Sequence, residues 1–178
     1  ICMTMPEPYS KNAERRAAGD LSRILFQNIA IAAPSVLGEP QLWWGQADAR
    51  IRDLTFENLR ITLPPIAAVT EERTAILVRP SLSTNIRFIN NTITGGSHGI
   101  IHVGNNTNRS PGTVFTGNTI TNVYYRPAYF QYMAGGIFNS NTITHSGSSY
   151  SDYYGLGLDN TSGYTEIQRN RITGALGQ

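Results

Sequence analysis

The sequence predicts an all-β solenoid of parallel strands, about six coils long, and three observations carry that expectation. A seven-residue phrase recurs six times and aligns without a gap. It reads Phe26-Gln-Asn-Ile-Ala-Ile-Ala32, Phe56-Glu-Asn-Leu-Arg-Ile-Thr62 and Phe88-Ile-Asn-Asn-Thr-Ile-Thr94, then Phe115-Thr-Gly-Asn-Thr-Ile-Thr121, Phe138-Asn-Ser-Asn-Thr-Ile-Thr144 and Ile167-Gln-Arg-Asn-Arg-Ile-Thr173. The steps between copies are 30, 32, 27, 23 and 29 residues, inside the range where a fixed period means stacked repeats. The intervals are rich in Gly, Ser, Asn and Pro, and no amphipathic helix follows each phrase, which argues against βαβ units.

Each element of the phrase has a physical reading. Its β-branched and aromatic content and the alternation in Thr-Ile-Thr favour strand. Stacking parallel strands one per coil puts each Phe on the next Phe and each Ile on the next Ile. Neighbouring coils bury such columns together, and one coil cannot bury them alone. An antiparallel sandwich has no reason to repeat one phrase at the same point of every strand. The fourth position holds Ile29 and Leu59, then Asn91, Asn118, Asn141 and Asn170. These Asn residues are expected at a tight bend between two short strands, where Asn tolerates unusual backbone angles. Their amides are expected to bond from coil to coil, as in other stacked Asn ladders.

Along the chain, residues 1–19 read as an N-terminal strand plus a loop or short helix. Residues 20–178 read as one domain of β-helix repeats. Each coil carries a second strand after a loop: Gln41–Gly45, Thr74–Arg79, Gly99–Gly104, Ala128–Tyr132 and Gly155–Asp159. The expected second column is Trp43/Trp44, Ile76/Val78, Ile101/Val103, Phe130/Tyr132 and Leu156/Leu158. Alternate residues of these strands must point outward, so this sheet is the expected binding face. No capping element is evident, so the chain reads as a segment of a longer helix or as one that self-associates through uncapped ends.

Composition narrows the classes. Net charge is +2, with thirteen Arg scattered along the chain and one Lys, which gives no nucleic-acid signature. No apolar run is long enough to span a membrane. Cys2 is the only cysteine, which excludes an internal disulfide and a Cys-based metal site. The weakly charged, Asn/Thr/Ser/Gly-rich surface suits an extracellular protein, secreted or at the cell surface.

The pattern resembles the right-handed parallel β-helix of pectin-active enzymes and related carbohydrate-active proteins, over roughly residues 20–174. Within that superfamily it is similar to polygalacturonase-type glycosidases, which carry an acidic pair on one coil and a Gly-His-Gly-type turn on the next. Glu71 and Glu72 stand at the acidic pair, and His98 stands at the turn in Gly96-Ser-His-Gly-Ile100. The resemblance implies that these residues are catalytic and that a polysaccharide lies along the second-column sheet. It departs from the family in having glutamates for aspartates, and in lacking an Arg-x-Lys element at Tyr125-Arg126-Pro127.

The residues themselves add candidates. Glycoside hydrolysis needs a proton donor and a base or nucleophile at a set separation. Asp159 ends a second-column strand and is the further catalytic candidate. With His145 and Asp152 it also forms a candidate calcium or acid–base cluster. Trp43, Trp44, Tyr129, Tyr132 and Tyr153 are candidate platforms for sugar rings, and the resemblance adds Asp48 on the coil before and Arg126 on the coil after as substrate-binding candidates. No other cofactor is expected. The functional expectation is a carbohydrate-active, glycosidase-like protein that acts on or binds an extracellular polysaccharide. The competing expectation is a non-catalytic fibre, sheath or adhesin segment assembling end to end.

Overall fold

In the computed structural model, the described residues are 20–32, 42–44, 50–80, 82–145 and 153–174. The expected N-terminal strand and loop or short helix within 1–19, the side chains of Trp43 and Trp44, and Asp48 and Asp152 lie outside what is described.

The chain winds as a parallel β-solenoid. The first coil holds β1 (Asp20–Gln27), β2 (Ala30–Ala32) and β3 (Leu42–Trp44), and the second holds β4 (Arg50–Glu57), β5 (Arg60–Thr62) and β6 (Thr74–Val78). The third holds β7 (Leu82–Thr84), β8 (Arg87–Ile89), β9 (Thr92–Thr94) and β10 (His98–Val103). The fourth holds β11 (Ser110–Pro111), β12 (Val114–Thr116), β13 (Thr119–Thr121) and β14 (Arg126–Gln131). The fifth holds β15 (Met133–Asn139), β16 (Thr142–His145) and β17 (Leu156–Asp159), after which β18 (Ser162–Gln168) and β19 (Arg171–Gly174) begin a sixth. One 3-10 turn, Glu71–Arg73, precedes β6. The strands form three parallel sheets. Among the described residues the sixth phrase contributes to the first two sheets only, so about five turns close where the repeat count suggests six.

Register follows the phrase. In the first sheet Phe26, Phe56, Phe88, Phe115, Phe138 and Ile167 are successive partners. In the second sheet Ile31, Ile61, Ile93, Ile120, Ile143 and Ile172 are. Phe56, Phe88, Phe115 and Phe138 are fully buried. Phe26, Phe56 and Phe88 stack at centroid spacings of 5.5 and 5.3 Å. Beyond Phe88 the stack changes, because Phe130 comes in from the third sheet, 5.2 Å from Phe115 and 5.0 Å from Phe138. Ile167 and Ile172, on the last described coil, are about half exposed where Phe138 and Ile143 are buried.

The bend between the first two sheets differs from expectation in one respect. The residue in the left-handed region is the third of the phrase, with Asn28, Asn58, Asn90, Gly117, Ser140 and Arg169 at φ of 53–67°. That position turns the chain and needs no side chain inside. The fourth position points inward, where an amide must find partners. Asn91 Nδ2 donates to Phe56 O at 3.0 Å and to Asn118 Oδ1 at 2.9 Å, and Asn118 Oδ1 also accepts from Asn91 N at 2.9 Å. Asn118 bonds Phe88 O and Asn141 in the same way, and Asn141 bonds Phe115 O and Asn170.

The third sheet corrects the expected second column. Its inward residues are Ile76/Val78, Ile100/His102, Ala128/Phe130 and Leu156/Leu158. Ile101 is shifted to the outward phase, and Tyr132 falls after the strand at φ 58°. The surprise in the core is His102. It is fully buried, packs against Phe88 and Phe130, and bonds Ser83 Oγ through Nε2 at 3.0 Å, and Ser83 in turn bonds Ser110 Oγ.

Candidate functional site

The outward face of the third sheet is set by its register. Trp43, Leu77, Ile101, Tyr129 and Gly157 are successive partners in one column, and Val103, Gln131 and Asp159 in the next. On the fourth and fifth coils these two columns form a polar, aromatic cluster. The Arg126 guanidinium lies 4.6 Å from the Tyr125 ring centroid and 4.2 Å from that of Tyr129, a cation–π arrangement with two faces. The Tyr129 hydroxyl donates to Asp159 Oδ2 at 2.9 Å, and Gln131 Nε2 donates to the same oxygen at 2.7 Å. Burial and then the Asp159 hydrogen bond push the Tyr129 phenol up to about 12, so it is a neutral donor at any physiological pH.

Gly157 is what lets this cluster form. The Tyr129 ring leans over it, and a Cβ there would meet Tyr129 Cδ2 at 2.8 Å. Gly157→Ala is therefore expected to push the ring off its place beside Asp159. The expected loss is about 1–3 kcal/mol of unfolding free energy in urea, the usual cost of overpacking. An unchanged midpoint would mean that the ring relaxes freely.

The second group surrounds the 3-10 turn. Glu71 makes a bidentate ion pair with Arg79, with Nη1 to Oε2 at 2.5 Å and Nη2 to Oε1. His98 Nδ1 lies 3.1 Å from Thr70 O. A carbonyl can only accept, so Nδ1 carries the proton and Nε2 is the unprotonated nitrogen. Burial lowers the His98 pKa to about 4, against smaller upward pulls from Thr70 and Glu71. His98 is thus neutral near pH 7. Its ring meets Tyr125 edge-on at 5.3 Å, and its register partner on the next strand is Arg126.

The expected site residues are therefore only partly brought together. His98, Arg126, Tyr129 and Asp159 share the third sheet. Glu71 and Glu72 are exposed at the start of β6, and Glu71 is held by Arg79. β6 and β17 are three strand spacings apart. At ~4.8 Å per spacing this puts ~14 Å or more between Glu71 or Glu72 and Asp159. Glycosidase carboxyl pairs stand ~5–9.5 Å apart. Tyr132 lies beyond the strand end. Tyr153 stacks on His145 at 4.6 Å, and burial pushes its phenol up to about 12. His145 ends β16 of the second sheet, while Asp159 ends β17 of the third. Among the described residues no three His, Cys, Asp or Glu side chains form a group able to hold a metal ion. Sequence reasoning missed Gln131 and Arg79. Gln131 shows only through its register with Asp159, and Arg79 through its place eight residues after Glu71.

These features define a class, a parallel β-solenoid with a polar, aromatic outer face on its third sheet. No protein-family model, curated protein or solved structure matches the chain.

Proposed function

We propose that this protein binds an extracellular acidic polysaccharide along the outer face of the third sheet, without cleaving it. The carrying observation is the Tyr125–Arg126–Tyr129 stack beside Asp159 and Gln131. Aromatic rings suit the apolar faces of sugars, Asp159 and Gln131 suit hydroxyls, and a guanidinium suits a uronate carboxylate. Arg126 makes no ion pair among the described residues, so a ligand carboxylate would have no protein carboxylate to displace there. Binding is favoured over hydrolysis by the ~14 Å between the carboxylates of the two groups, and by the hydrogen bonds that already occupy Asp159.

Calorimetric titration with oligogalacturonate and with neutral xylo-oligosaccharide of equal length tests this. The acidic chain is expected to bind more tightly, to weaken with salt, and to lose about tenfold or more in affinity in Arg126→Gln, the scale of one charge-assisted hydrogen bond. Equal affinity for both chains would refute the acidic reading. Release of reducing ends by the wild-type protein would refute the non-catalytic one.

A further inference from the structure

Leu77 and Ile101 belong by register to the same outward column as Tyr129, yet they are only 4% and 2% exposed. Neither belongs to the interior cluster. Neighbouring strands alone do not cover the outer face of a sheet, so something lies across it. Glu71 precedes β6 and Arg79 follows it, and the inward side of β6 is packed core. Their ion pair joins the two ends of β6, and Arg79 falls two residues after Leu77, in the same outward phase.

The segment that carries Glu71 is otherwise lightly attached. Residues 64–73 include no buried side chain, and Val69, Glu71 and Glu72 are exposed. It is tied to the third coil by a few bonds: Gly96 N to Pro64 O at 3.2 Å, Ser97 N to Arg73 O at 3.0 Å, Thr70 N to Ser97 Oγ at 3.0 Å, and His98 Nδ1 to Thr70 O. Few buried contacts and a small set of hydrogen bonds are what a locally opening unit has.

We propose that residues 64–73 form a strap over the outer face of the third sheet, latched by the Glu71–Arg79 pair. Opening it uncovers Leu77 and Ile101 and lengthens the face around Tyr129 by two coils. An anionic ligand that takes Arg79 from Glu71 would release the latch as it binds. The strap itself stands on contacts within the chain, so it can be tested with no ligand present.

The test is amide hydrogen exchange of the intact chain, comparing wild type with Glu71→Gln and Arg79→Gln. An exposed ion pair typically contributes a few tenths to one kcal/mol, so exchange at Gly96 and Ser97 is expected to rise about 2- to 5-fold in both variants. Ile120, on the second sheet, is expected to stay unchanged. As a second reading, Ile101→Cys in a Cys2→Ser background is expected to label slowly with a maleimide, and about 2- to 5-fold faster once Glu71→Gln is added. Unchanged exchange at Gly96 and Ser97 would overturn the latch. An equal rise at Ile120 would overturn it too, because the effect would then be global. If exchange responds but labelling at Ile101 does not, the strap does not cover this column and the proposal fails.

Discussion

Asn118→Ala is expected to lower the unfolding free energy by about 2–5 kcal/mol, while Thr119→Ala next to it changes stability by about 0.5 kcal/mol or less. Asn118 is fully buried and serves three coils at once. Its Oδ1 accepts from Asn91 N and Asn91 Nδ2, and its Nδ2 donates to Phe88 O at 2.9 Å and to Asn141 Oδ1 at 3.0 Å. Alanine leaves Asn91 N and Phe88 O in the core without these partners. Each buried group so stranded costs about 1–3 kcal/mol, which is why the loss exceeds that of an ordinary hydrogen bond. Thr119 is half-buried on the outer face, where water can replace what is lost. Urea unfolding of both variants checks this. A loss below about 1 kcal/mol for Asn118→Ala would mean that water enters the column and satisfies it.

The second large effect is acid lability centred on His102. The imidazole is fully buried between Phe88 and Phe130, and burial lowers its pKa from 6.5 to about 3. In the unfolded chain the ring takes a proton near pH 6.5, while in the folded chain it stays neutral until about pH 3. The unfolded state therefore binds more protons across that window. Stability is full above about pH 6.5 and is lost progressively as pH falls toward 3. At ~1.4 kcal/mol per pKa unit the loss is on the order of 5 kcal/mol at the acid end. His98, lowered to about 4 chiefly by burial, acts in the same direction over a shorter window. Unfolding free energies at pH 7.5 and 4.5 are expected to differ less in His102→Gln than in wild type. An equal difference in the two proteins would place the acid sensitivity elsewhere.

Much of this architecture was legible in the residues. The phrase placed the first- and second-sheet strands of every coil, and the five second-column strands match β3, β6, β10, β14 and β17 to within two residues at either end. The inward phase of the third sheet was not legible. β6 is buried at all five positions and β10 at its first five, so neither shows the alternation that would tell inside from outside. Hence the expected column lists Ile101/Val103 where register aligns Ile100 and His102 with Ile76 and Val78, and pairs Phe130 with Tyr132 instead of Ala128. The candidate site was legible in part. Arg126, Tyr129 and Asp159 could be named as polar or aromatic residues near the ends of third-sheet strands. That Tyr129 and Gln131 share one oxygen of Asp159 depends on the register of β14 with β17.

By itself, then, the sequence determined the stacking. One phrase repeated at one offset brings like side chains together only when its copies lie parallel and in register, and that arrangement alone buries the Phe and Ile columns. The tertiary structure decided what faces outward on the third sheet, and which residue of each bend turns the chain. It also decided which carboxylates stand near one another. Those outcomes depend on loops of unequal length between the phrases. Glu71 precedes β6 and Asp159 ends β17, at opposite edges of one parallel sheet, and three strand spacings separate their strands.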